Sequence, residues 1–169
     1  YHVVESGSTE GVWVPWYSMH KILSGLLAAY EIAGKEKALE IASRLGDWVY
    51  SVTSRWTEET QKKVLSIEYG GMNDCLYDVY AITGKKEHLE AAHAFDQTEL
   101  FERVLKAGVG DNVLNNHHAN TTIPEVLGCA RAYEVTGDEK WLAIVESYWK
   151  CAVTDRGAFV TGGQTQGEI

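Results

Sequence analysis

Four short stretches of the 169-residue chain concentrate the side chains able to do chemistry. The first runs Trp13-Val14-Pro15-Trp16-Tyr17-Ser18-Met19-His20, and the second Glu68-Tyr69-Gly70-Gly71-Met72-Asn73-Asp74. The third is Asn115-Asn116-His117-His118-Ala119-Asn120-Thr121-Thr122-Ile123-Pro124. The fourth is Phe159-Val160-Thr161-Gly162-Gly163-Gln164-Thr165-Gln166-Gly167-Glu168. Such mixtures suit a neutral polyhydroxylated ligand, which needs several donors and acceptors, a hydrophobic wall and a carboxyl group. Trp16 is the candidate wall; His20, Asn73, Asp74, His118, Asn120 and Gly163 are the candidate polar contacts. Glu168 follows a glycine-rich loop that lets backbone come close to a ligand.

The same residue types have plainer uses. Asn, Asp and Thr are preferred helix N-caps, so Asn73, Asp74, Asn120 and Thr121 could be caps and nothing more. A lone histidine inside a helix, as at His20, is ordinarily a structural residue. His117-His118 lacks the spacing of a metal motif, and Glu168 alone could be a surface carboxylate. His88 and His93 stand apart from these stretches and read as surface or packing residues.

Composition narrows the partners. The net charge is −9, with no basic block to neutralise phosphates, which argues against nucleic acid. No apolar run reaches the roughly 18 residues of a membrane span. The 6 Trp and 9 Tyr could stack on sugar C–H faces, although core packing is the default for most rings. Cys75, Cys129 and Cys151 are an odd set without C-x-x-C spacing, each within a helical apolar pattern. They read as reduced core thiols rather than a disulfide framework or zinc site. The first residues, Tyr1-His2-Val3-Val4-Glu5, lack the Met and basic region of a natural start, so the chain is expected to begin in mid-protein.

The elements that must position these stretches are set by a repeat. Tyr30, Tyr80 and Tyr133 are each followed four residues later by Gly34, Gly84 and Gly137, and five further on by Leu39, Leu89 and Leu142. Each copy reads as helix, tight glycine turn, helix. Apolar stripes at helical spacing precede the glycine: Trp16, Met19, Leu23, Leu26, Leu27, Tyr30; then Met72, Leu76, Val79; then Ile123, Val126, Leu127, Ala130, Tyr133. A second stripe follows it: Leu39, Ala42, Leu45, Val49; then Leu89, Ala92, Phe95; then Trp141, Ile144, Val145, Tyr148. The period of about 50 residues is longer than that of tetratricopeptide, HEAT or armadillo arrays. It suits an α/α toroid, whose parallel inner helices would bring the polar stretches to one rim. The expectation is an all-α chain of helical hairpins forming about half of an (α/α)6 toroid. Residues 1–169 would then be a single partial catalytic domain, truncated at both ends, with apolar surface left open for self-association.

At these same stretches the chain resembles glycoside hydrolase family 127 and its relative family 146. The resemblance rests on Val14-Pro15-Trp16-Tyr17-Ser18-Met19-His20-Lys21-Ile22, Glu68-Tyr69-Gly70-Gly71-Met72-Asn73-Asp74, His118-Ala119-Asn120-Thr121-Thr122-Ile123-Pro124 and Val160-Thr161-Gly162-Gly163. They occur in the family's order and span nearly the whole chain. The resemblance implies an (α/α)6 catalytic domain that removes terminal β-L-arabinofuranosides with retention of configuration. It implies that Glu168, in the Gly167-Glu168 pair, is the general acid/base, and that His20 and His118 contact the sugar. Where many family members carry a histidine this chain has Gly71, so Asn73 or Asp74 becomes the substitute contact. The family's nucleophile is a cysteine held on zinc by a glutamate and further cysteines. Those ligands are expected downstream of Glu168, so zinc belongs to the longer enzyme, and this chain alone is expected to bind none and to be inactive. Two other readings remain: an epimerase or lyase on the same scaffold, and a non-catalytic helical repeat that docks a protein through an exposed apolar face.

Overall fold

In the computed structural model the chain is described from residue 1 to residue 155. Gly163 and Glu168, with the whole fourth stretch, lie outside the described residues. Among the described residues there are nine α-helices, one π-helical turn and no strand. They are α1 (His2–Glu5), α2 (Pro15–Glu31), α3 (Glu36–Thr53), α4 (Glu58–Ile67), α5 (Met72–Thr83), α6 (Lys86–His93), α7 (Thr98–Lys106), α8 (Ala119–Thr136) and α9 (Glu139–Trp149), then the π turn Lys150–Thr154. None is long and apolar enough to cross a membrane.

The repeat becomes three helical hairpins: α2 with α3, α5 with α6, and α8 with α9. The spacing of Tyr and Gly has a direct physical reading. Gly34, Gly84 and Gly137 adopt φ of +62°, +68° and +69°. Their N–H groups donate to the carbonyls of Tyr30, Tyr80 and Tyr133 at 2.9, 2.8 and 2.8 Å, closing each first helix. Helix α5 is the centre of the packing, touching α2, α3, α6 and α8.

Contacts along α2, α5 and α8 fix their relative direction. His20 of α2 lies against Gly71 just before α5; Gly70 lies against Thr121 at the start of α8. Deeper in, Asn73 lies against Gly128, and Arg131 Nε pairs with Asp78 at 2.6 Å. Asp78 also feels the charge of Glu31 at the far end of α2. Low numbers meet low and high meet high, so the three helices are parallel and their N-terminal ends share one end of the bundle.

Two elements differ from the repeat reading. Helices α4 and α7 fill the connections between hairpins, where no stripe was read. Helix α4 buries only Val64 and Leu65 and is started by Thr57, whose Oγ1 accepts the Thr60 N–H at 3.1 Å. Helix α7 buries Leu100, Phe101 and Val104 on one face of nine residues. Both are too short to stand out by periodicity. Ile123 and Leu127, read as core, are exposed. Helix α8 turns Glu125, Val126, Cys129 and Ala132 inward, and Ile123 and Leu127 join Val145, Tyr148, Trp149 and Val153 in an open apolar groove. The three cysteines are reduced and buried, as the apolar patterns indicated.

Candidate functional site

The shared N-terminal end of α2, α5 and α8 gathers the first three polar stretches. Its centre is a strap, Gly70-Gly71, wedged between the first turns of α2 and α8. The backbone there has φ of +85° and +91°. A Cβ on Gly71 would intrude on the His20 ring, and one on Gly70 would intrude on the backbone of Thr121. Glycine is therefore required twice over, by conformation and by space.

Carboxylates from later elements tie down the backbone of earlier ones. Helix α2 begins after Val14, whose side chain cannot cap. Glu68 does so from 52 residues away: its Oε2 accepts the Trp16 N–H at 2.6 Å. Glu125, with no exposed surface, accepts the Gly70 N–H at 3.1 Å and the Gln97 N–H at 2.6 Å. Asn73 donates to the Glu125 carbonyl at 3.0 Å and toward Asp96 Oδ1 at 3.4 Å, while its Oδ1 accepts the Asp74 N–H at 2.8 Å. Tyr77 Oη donates to Asp96 Oδ2 at 2.9 Å, and His93 Nδ1 lies 2.9 Å from the same oxygen. Burial pushes the carboxyls of Asp96 and Glu125 above the ordinary range; their mutual repulsion adds to this at Glu125.

The candidate residues fall into different settings within this frame. His20 is 5% exposed, and its Nδ1 has no hydrogen-bond partner among the described residues. Burial, with the Lys21 charge beside it, holds its pKa down at about 4, so the imidazole is neutral at pH 7. His118 is the N-cap of α8, and its Nδ1 accepts the Asn120 N–H at 3.1 Å. That bond puts the neutral ring's proton on Nε2 and makes that nitrogen a donor. Asn120 is exposed on the first turn of α8. Asp74 is half-buried on α5; burial first, then the neighbouring Asp78, push it up to about 6.

His20, Asp74, His118 and Asn120 thus stand around the Gly70-Gly71 strap, at one end of three parallel helices. Asn73 sits below the rim, its amide taken up within the protein. Trp16 is 1% exposed, packed against Tyr1, Trp48, Trp56 and Phe95 with ring centroids 4.4–6.1 Å away. Its ring has no open face. The aromatic surface at this end comes instead from Trp13, 87% exposed one residue before Val14, where φ is +35°. Glu68 and Glu125 were not singled out by sequence reasoning, because a glutamate that caps a distant helix has no local signature. His88 is a packing residue, buried between Thr83 Oγ1 at 2.8 Å and Asp47 Oδ1 at 3.0 Å.

One end of the all-α bundle thus holds a buried neutral histidine, a carboxyl and a close-approaching glycine strap. The family model of the beta-L-arabinofuranosidase, GH127 catalytic domain, matches residues 2–168, and the chain belongs to that family. No curated protein matches the chain.

The zinc that the family implies does not fit the thiols described. A zinc ligand must be a thiolate. Cys75 and Cys129 are buried on α5 and α8, where burial and the nearby carboxylates push their pKa values well up, favouring the thiol. No group of three or more His, Cys, Asp or Glu among the described residues could hold a metal.

Proposed function

We propose that this chain is part of a retaining glycoside hydrolase acting on terminal β-L-arabinofuranosides of plant-type glycans. The observation that carries the reading is the glycine strap lying against His20 on one side and against the His118-capped turn of α8 on the other, in a chain of this family. The neutral His20 ring, whose Nδ1 has no partner among the described residues, offers a hydrogen-bonding group without charge, which matches sugar hydroxyls. Trp13 supplies an apolar surface for a C–H face. In this reading the three hairpins are about half of an (α/α)6 toroid, with α2, α5 and α8 as inner helices.

Glu168 is the general acid/base: protonated, it donates to the leaving oxygen, and ionised, it accepts a proton from the attacking water. Asp74, held near pKa 6 and charged above it, accepts from a sugar hydroxyl. No step is assigned to Cys75, Cys129 or Cys151.

The test is binding, read by the protein's NMR spectrum during titration with L-arabinose and methyl β-L-arabinofuranoside. Shifts confined to the α2, α5 and α8 N-terminal turns, lost in His20→Ala and His118→Ala, support the reading. Shifts in the Ile123–Trp149 groove alone, or none, overturn it.

A further inference from the structure

The strap that separates the two histidine-bearing helices does not hold itself. Gly70 and Gly71 both sit at positive φ, so they carry no intrinsic preference for this shape over others. Helix α5 begins only after them, at Met72. What grips the strap is one buried side chain. Glu125 comes from the second turn of α8, is fully enclosed, and accepts the Gly70 N–H through Oε2 and the Gln97 N–H through Oε1. Its own backbone carbonyl accepts from Asn73. One residue therefore ties the strap, the start of α7 and the first turn of α5 to α8.

We propose that Glu125 is the positioning residue of the rim: its grip on Gly70 keeps Gly71 pressed on the His20 ring and fixes the spacing between His20 and the His118–Asn120 turn. The functional meaning rests on the sugar-binding reading above; the geometric claim does not. The identity of the residue matters because each of the two oxygens of its carboxyl group can accept an N–H from a different element. Gln offers one acceptor oxygen and places an NH2 against the second N–H; Ala offers nothing. The groups facing Glu125 are the acidic Asp96 and Asp74, the phenols of Tyr69 and Tyr77 and the Cys129 thiol, with His93 beyond Asp96. Those facing His20 are Gly71, Tyr17 and the Lys21 charge.

His20 reports on the strap without any sugar present. Its ring is kept neutral down to about pH 4 because it is buried, with Gly71 lying on it. The measurement is the pH titration of each histidine ring by NMR in the wild-type chain, Glu125→Gln and Glu125→Ala, with His20→Asn assigning the signal. In Glu125→Ala the strap lifts, water reaches the ring, and the His20 midpoint rises by about one unit or more toward the ordinary histidine value. In Glu125→Gln the rise is smaller and of the same sign. His88, remote on α6, keeps its midpoint in both. A His20 midpoint unchanged in folded variants overturns the proposal. So does global unfolding of both, which would make Glu125 a core residue and nothing more. Arabinose affinity in the same variants separates the two readings. A moved His20 midpoint with no arabinose binding even by the wild-type chain sinks the sugar site and leaves the positioning role standing.

Discussion

Replacing Gly71 by Ala puts the strap geometry to a quantitative test, because the chain contains its own control. Gly84 and Gly71 share a positive φ, +68° and +91°. A Cβ on Gly84 meets nothing within 4 Å, whereas one on Gly71 runs into the His20 ring. Alanine at Gly84 therefore carries only the conformational penalty, about 1–2 kcal/mol for an L-residue in the left-handed region. Alanine at Gly71 carries that penalty plus about 1–3 kcal/mol for a methyl group forced into a packed site. The expected losses are then about 1–2 kcal/mol for Gly84→Ala and roughly 2–5 kcal/mol for Gly71→Ala. Against a typical domain stability of about 5–15 kcal/mol, both variants should still fold. Urea unfolding with linear extrapolation resolves the difference, and unchanged m-values would show that the denatured state is not responsible. A second signature belongs to Gly71→Ala alone: displacement of His20 should raise its titration midpoint. Equal losses in the two variants, within about 0.5 kcal/mol, would refute the reasoning, because the His20 ring would then have moved aside without resistance.

Other consequences follow from the rim's charges and from the buried thiols. Asp74, held near pKa 6 against 3.8 in the unfolded chain, opposes folding once both states are ionised, an opposition that fades as pH falls from 6 toward 3.8. Asp74→Asn should therefore stabilise the chain by about 1 kcal/mol at pH 8, after allowance for its partial exposure, and by little at pH 4; a stability loss at pH 8 would contradict this. His20 acts in the opposite sense, since its folded pKa is depressed from 6.5 to about 4. The unfolded chain binds the extra proton in that window, so the stability conferred by a neutral His20 is complete above pH 6.5 and lost as pH falls toward 4. His20→Asn should flatten that limb of the curve of melting temperature against pH, and an unaltered limb would count against a neutral buried ring. Cys75, Cys129 and Cys151 should resist a thiol reagent such as Ellman's in native buffer at pH 8 and all react in denaturant; rapid native labelling would contradict their burial.

What the sequence made legible was local and periodic. Tyr30, Tyr80 and Tyr133 stand four residues before glycines because a helix ends by bonding a glycine N–H to the carbonyl four back, so the hairpins could be read from spacing alone. The gathering of the first three polar stretches at one end followed from the same parity, since equivalent helices of successive hairpins run the same way. Residue roles within the stretches were less legible. Trp16 and Trp13 are three positions apart and look alike in sequence, yet a helix turn sends one into an aromatic core and leaves the other in solvent. Asn73 looked like a ligand contact or a cap, and its buried amide donates to the Glu125 backbone carbonyl and toward Asp96. Glu68 and Glu125 act on backbone 52 and 55 residues away, a relation that no windowed pattern contains.

That long-range bonding bears on how the repeats behave as a unit. In an open repeat array each hairpin contacts its neighbour through side-chain packing, and hairpins can unfold nearly independently. Here the polar ends are cross-tied in sequence order. Glu68, at the approach to α5, completes the start of α2 in the first hairpin. Glu125, in the third hairpin, completes the strap of the second and the start of α7. Losing a later hairpin would leave buried N–H groups of the earlier one without acceptors, at roughly 1–3 kcal/mol for each such group. The rim's geometry is therefore available only when all three hairpins are in place, which couples the repeats through backbone groups at the site end of the bundle. At their opposite ends α2, α5 and α8 are each closed by a glycine of their own hairpin, and the ties between the first two hairpins there run through side chains, from Lys85 and His88 to Asp47.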